Sequence, residues 1–310
     1  MPCRFCALVL FAGLLASTAH NASRAQQAPA GQTAPPPAGR GGGGFIQPLP
    51  IDDNDRSGWT SIFDGTTMKG WDANPAVWTI ENGTLTAVST VERRVGTTYV
   101  IYQEELADFE LKFEYKVDGD IHSGIAYRSW TDPARAATLG PAVTPPADAV
   151  RVSGRPAGAG TTGAPAAAAP GGGRGTPQVP TDPKWTLYGP GMDFDAGHVM
   201  SGNVEERGTP RREIAWRGGI VRTETGKWPR VVGSLGDPAA LMKVIKTDDW
   251  NQIHIIARGN VLVHIINGVV MTMLLDDDPT FFTPKGLIGM SIEGGGTGRV
   301  SLRNVWLRKR

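Results

Sequence analysis

The chain has 310 residues, with 31 Lys and Arg against 30 Asp and Glu and a net charge of +1. Nucleic-acid binding needs clustered basic residues to displace counterions, and no basic stripe is present, so a neutral ligand fits better. The 2 cysteines are Cys3 and Cys6, both at the extreme N-terminus, so thiolate catalysis, zinc–thiolate sites and a disulfide scaffold are excluded for everything after it.

In chain order, Arg4, the apolar run Phe5 to Ala16 and the small-x-small triplet Ser23 to Ala25 predict a secretory signal peptide over residues 1–25. The apolar run is too short to span a bilayer, and no other segment is long and apolar enough. The expected destination is the periplasm or the cell exterior. Residues 26–55 are Pro/Gly-rich and read as a flexible linker. The domain itself is expected over residues 56–310. It is interrupted at 134–182 by an Ala/Pro/Gly-rich insertion with almost no large apolar residue to bury, hence expected to be disordered.

The rest reads as strands. Trp78 to Val88 alternates around Asn82-Gly83, a strong hairpin signal. Phe109, Leu111, Phe113 and Tyr115 alternate with Glu110, Lys112, Glu114 and Lys116, the pattern of a half-buried strand. Residues 121–129, 286–294 and 299–309 are further strands, and 251–268 reads as a hairpin about Gly259. No segment carries a helical period. Many short strands with Gly-rich turns predict an all-β jelly-roll sandwich. The 9 tryptophans fit a carbohydrate partner, whose C–H faces pack on aromatic rings, although most are expected in the core.

Candidate site residues come from period-two geometry. In Gly189 to Asp195, Asp193 and Asp195 share one strand face, and Met192 and Phe194 share the other, core-facing one. Two such carboxylates hold a divalent cation, or raise one another's pKa to supply an acid or base, or form a solvated polar face. Asp195 is the stronger candidate, because Ala196 and Gly197 leave room for a ligand. In the next candidate strand, His122, Gly124, Ala126 and Arg128 share a face like the floor of a groove. Arg128 there grips ligand hydroxyls, or pairs with Asp193 or Asp195. His254 and His264 are equidistant from Gly259 and pair across the hairpin if Arg258-Gly259-Asn260 is the turn, which would suit a metal. Glu205, Glu206 and Arg217 read as a pocket rim or as a charged surface hairpin. Residues 293–299 lack phosphate-loop spacing and read as a strand connection with a close backbone approach.

Five phrases occur together in order: "GWTSIFDGTTMKGWDA", "VWTIENGTLTA", "DFELKFEYKV…HSGIAYRS", "DDWNQIHIIARGNVLVHIING" and "KGLIGMSIEGGGTGRVSLRNVWLRK". In this the chain resembles the 3-keto-disaccharide hydrolase domain family, from about Gly58 to Arg310 outside the insertion. The resemblance implies a concanavalin-like sandwich, export, and action on glycosides whose sugar is oxidised at C3. A C3 ketone acidifies the C2 proton, so a base removes it, the anomeric group leaves and water adds later. Asp193, Asp195, His122 and His264 are the expected catalytic groups, with Arg128, Glu205, Glu293 and Arg217 at the substrate. No cofactor is required on this reading: Asp193 and Asp195 either bind a divalent cation or act as base. The chain departs from the family pattern at His122, where Asn is usual, and at Ser291 and Glu293, where a Gln-x-His pair is usual. A two-carboxylate glycosidase route and a non-catalytic, lectin-like carbohydrate-binding module are the alternatives.

Overall fold

A computed structural model describes residues 48–50, 52, 54–141, 143–147 and 177–310. The expected signal peptide, most of the linker and residues 148–176 of the insertion lie outside the described residues. The strands all fall in the unit Ile51–Arg310. Before the insertion come β1 (Thr60–Ser61), β2 (Trp71–Ala73), β3 (Trp78–Glu81), β4 (Thr84–Ser89), β5 (Thr98–Leu106), β6 (Phe109–Asp120) and β7 (His122–Ser129). After it come β8 (Gly189–Asp195), β9 (Val204–Arg207), β10 (Arg212–Ala215), β11 (Gly219–Glu224), β12 (Arg230–Ser234) and β13 (Asn251–Arg258). The last four are β14 (Val261–Ile266), β15 (Val269–Asp277), β16 (Gly286–Ile292) and β17 (Thr297–Lys309). Among the described residues there are two α-helices, Pro133–Ala137 and Pro238–Met242, and no helix able to cross a membrane.

The strands form the expected jelly-roll sandwich. One sheet has ten strands in the order β12-β11-β15-β14-β13-β6-β17-β4-β3, with β1 on β17. The other has seven, in the order β10-β9-β8-β7-β16-β5-β2. Asn82 (φ 49°) and Gly83 (φ 77°) close the β3–β4 hairpin in the left-handed conformation that a two-residue hairpin turn demands. The alternation of β6 survives intact. Phe109, Leu111, Phe113 and Tyr115 are buried between the layers, each such side chain contributing roughly 2–3 kcal/mol by burial. Met192 and Phe194 of β8 meet them from the other sheet, and Phe194 stacks on Tyr115 with ring centroids 4.2 Å apart. The core face of β8 is therefore the predicted one, and its aspartates point outward.

Two expectations are corrected. The β13–β14 turn is Gly259-Asn260, with Arg258 paired to Val261, so His254 pairs with Ile265 and His264 with Ile255. The histidines consequently lie on opposite faces and form no metal pair. His254 meets Glu110 outside at 2.9 Å, and His264 lies in the core 2.7 Å from the Tyr127 hydroxyl. The insertion is also shorter than its composition suggests. Gly96 donates to the Val179 carbonyl at 2.6 Å, and the Trp185 indole donates to Asp72 at 3.1 Å. Leu187 sits on Gly289, where a Cβ would lie 2.6 Å from it. Residues 178–188 thus strap the outer face of the seven-stranded sheet through a few apolar anchors.

Candidate active site

The site is built on the outer face of the seven-stranded sheet, where four strand registers converge. Asp193 of β8 lies opposite Gly124 of β7, Gly124 opposite Ser291 of β16, and Ser291 opposite Tyr99 of β5. On β9, Val204 turns into the core, so Glu205 and Arg207 turn outward beside Asp193. Glu293, just beyond β16, is held at this end by its N–H, which donates to the His122 carbonyl at 3.0 Å.

Arg207 occupies the centre. Its Nη2 donates to Asp193 Oδ1 at 2.6 Å and to Glu293 Oε1 at 2.5 Å, and its Nε lies 2.5 Å from Glu205 Oε1. The buried Tyr99 phenol lies close enough to interact with its charge. Glycine at 124 leaves this room, because a Cβ there would lie 2.8 Å from the Met192 carbonyl oxygen and 2.8 Å from Arg207 Nη2. The cluster is not sealed: the side chains of Glu293, Glu205 and Arg207 are 22%, 16% and 13% exposed.

One guanidinium faces three carboxylates, so charge is not balanced. Burial raises the Asp193 pKa well above the ordinary carboxylate value, and the neighbouring Glu205 adds to it against the pull of Arg207. Burial also raises Glu205, with Arg207 opposing and Glu293 assisting. Burial disfavours the Arg207 charge, but Glu205, Glu293, Tyr99 and Asp193 more than offset this, so it stays protonated. A carboxyl of the cluster therefore keeps a proton at pH values where an exposed aspartate has lost it. An acid and a base can therefore stand within 4.8 Å of one another on this face.

Of the expected residues, the fold brings together Asp193, Glu205 and Glu293, with His122 on the same face one pairing step along β7. It turns the others elsewhere. Asp195 Oδ1 accepts from the N–H groups of Met200 (2.8 Å) and Ser201 (3.2 Å), and Oδ2 from Val199 (3.0 Å), so it organises the 196–201 loop. Arg128 has φ 48°, which breaks the alternation of β7 where its register with β16 shifts. Its guanidinium swings to the Ala107 and Gly259 carbonyls, both at 2.7 Å, and to Asp108 at 2.8 Å. It pairs with neither Asp193 nor Asp195. Arg217 is buried on the carbonyls of Pro238, His198 and Ser201 instead of rimming a pocket. His264 is fully buried, and burial pushes its pKa down to about 4, so it is a neutral core residue bonded to Tyr127.

A divalent cation at Asp193 and Asp195 does not fit, because the Asp195 oxygens are taken by backbone N–H groups. Among the described residues, Asp193, Glu205 and Glu293 offer oxygens within 4.8 Å of one another, but Arg207 already bonds all three. A cation would have to displace it. Arg207 and Tyr99 were not singled out from sequence. The usable signal was the alternation of Val204 to Arg207, which puts Glu205 and Arg207 on one face.

A family model described as the 3-keto-alpha-glucoside-1,2-lyase-like domain matches residues 58–308. Among solved structures, a provisionally named glycosyl hydrolase from Parabacteroides distasonis is 18% identical, with 81% of this chain and 99% of that one covered and a TM-score of 0.43. A galectin-like-fold protein of unknown function from Bacillus subtilis is 10% identical, with coverages of 81% and 96% and a TM-score of 0.42. The carbohydrate-binding module CBM66 from Bacillus subtilis is 13% identical, with coverages of 77% and 96% and a TM-score of 0.37. No curated protein matches the chain.

Proposed function

Because the chain belongs to the family of 3-keto-alpha-glucoside-1,2-lyase-like domains, a carbohydrate-related family, we propose that it cleaves 3-keto-glycosides at the cluster around Arg207. The carrying observation is three carboxyls gathered on one guanidinium on the outer face of the seven-stranded sheet. The ionised member of the Asp193–Glu205 pair takes the C2 proton, which the C3 ketone has made acidic. The electron pair moves onto the ketone oxygen as an enolate. The ketone then re-forms, a C1–C2 double bond forms, and the C1–oxygen bond to the aglycone breaks. The protonated carboxyl delivers its proton to that leaving oxygen. Water adds later across the double bond to give the free 3-keto sugar.

Arg207 supplies the fixed positive charge near the developing enolate, and Glu293 shares that charge. Export is part of the same proposal, supported by the Arg4-led apolar run and its cleavage triplet. The rival reading, a carbohydrate-binding module, shares the fold and differs in outcome. Purified protein incubated with 3-keto-trehalose should release free sugar. Binding without release would favour the module.

A further inference from the structure

Strand β9 carries Glu205 and Arg207 outward, and the residue between them, Glu206, points the opposite way. We infer that Arg211 is a positioning residue for the site: it clamps Glu206 to the other sheet and so fixes where β9 presents Glu205 and Arg207. The inference rests on the proposed role of the Arg207 cluster.

Arg211 Nε donates to Glu206 Oε2 at 2.9 Å, and its Nη2 donates to Glu206 Oε1. Its far edge donates to Asp276, with Nη1 to Oδ1 at 2.7 Å and Nη2 to Oδ2 at 2.9 Å. Asp276 belongs to β15 in the ten-stranded sheet, and Thr223 of β11 donates to its Oδ1 at 2.5 Å. Thr209 donates to Glu206 at 2.9 Å, and the Arg211 guanidinium lies over the Phe281 ring at 4.7 Å. The two carboxylates and the guanidinium are all buried, so the network is a fixed bracket between the sheets.

The bracket matters because β9 is otherwise weakly held. It has 4 residues, and its neighbour β10 is the sheet edge, also 4 residues long, with a register shift between Glu213 and Ala215. A slide of β9 along β8 would carry Glu205 and Arg207 away from Asp193 and Glu293 together. Lysine in place of Arg211 keeps the charge but cannot bond two carboxylates edge-on.

The test compares wild type with Arg211→Lys and Asp276→Asn, using ¹⁵N NMR of the Arg207 Nε–H and steady-state kinetics on 3-keto-trehalose. The Trp71 indole N–H, bonded to Ile62 at 2.6 Å, serves as the internal reference. In both variants the Arg207 signal should shift and lose protection from exchange, while the Trp71 signal stays in place. The kcat should fall by about 100-fold with KM little changed, the scale for a catalytic group misplaced by about an ångström. Asp276→Asn leaves the Arg211–Glu206 contact in place and decides the matter if Arg211→Lys does not fold. An Arg207 signal that overlays wild type while the melting temperature drops would show Arg211 to be a brace only, and overturn the inference. If wild type turns nothing over, the proposed activity fails, and the NMR signature still decides the positioning claim.

Discussion

Asp195→Asn separates structure from chemistry most sharply. The carboxylate accepts four hydrogen bonds: Met200 N–H (2.8 Å), Ser201 N–H (3.2 Å) and Ser201 Oγ (3.2 Å) on Oδ1, and Val199 N–H (3.0 Å) on Oδ2. An asparagine can keep its oxygen at the Oδ1 position, but its amide NH2 then faces the Val199 N–H, donor against donor. One buried donor left unsatisfied costs about 1–3 kcal/mol, and the bonds that remain lose their charge assistance. The expected destabilisation is about 3 kcal/mol, which for a domain of this size lowers the melting temperature by roughly 6–12 °C. Differential scanning calorimetry at pH 7 measures it, alongside turnover of 3-keto-trehalose well below both melting points. Turnover of the folded variant should remain within about an order of magnitude of wild type, since no acid–base group is lost. A variant that melts with wild type but has lost turnover would refute the reasoning and return Asp195 to the reaction.

Asp193→Asn should do the reverse: turnover falls by about 100-fold or more, while calorimetry at pH 7 shows no loss of stability, because burial already disfavours that charge. His264 gives a pH prediction. Its pKa falls from 6.5 to about 4 on folding, so the folded state binds fewer protons; its contribution is complete above pH 6.5 and is lost as pH falls toward 4. That amounts to about 3 kcal/mol, and urea midpoints between pH 7 and 4 should fall less steeply in His264→Gln; parallel slopes would contradict it. Deleting residues 148–176 should leave the melting temperature unchanged. Extending the deletion through Asp182 should lower it, because Val179 and Gln178 bond Gly96 and Arg94.

What could be read from sequence was local and periodic. The β6 alternation, the Asn82-Gly83 turn and the outward face of Asp193 each follow from a few neighbouring residues, and each is present. What could not be read depended on departures from period two or on distant partners. A positive φ at Arg128 redirects its guanidinium to the end of the sandwich. A two-residue turn in place of a three-residue one puts His254 and His264 on opposite faces. Asp195 looked open beside Ala196 and Gly197, but the loop after it folds back and donates three N–H groups to it. Arg207 draws its partners from positions 99, 193, 205 and 293, which only the strand order makes neighbours.

The central claim is that the Arg207 cluster cleaves a 3-keto-glycoside by removing the C2 proton. The direct measurement uses 3-keto-trehalose deuterated at C2, with mass spectrometry of the released sugar. Wild type should release a sugar that has exchanged its C2 deuterium for solvent hydrogen, and should turn over more slowly than on unlabelled substrate. Asp193→Asn and Glu205→Gln should release little of either. Cleavage with the C2 deuterium fully retained would contradict the account and favour direct displacement at C1 by the two carboxylates.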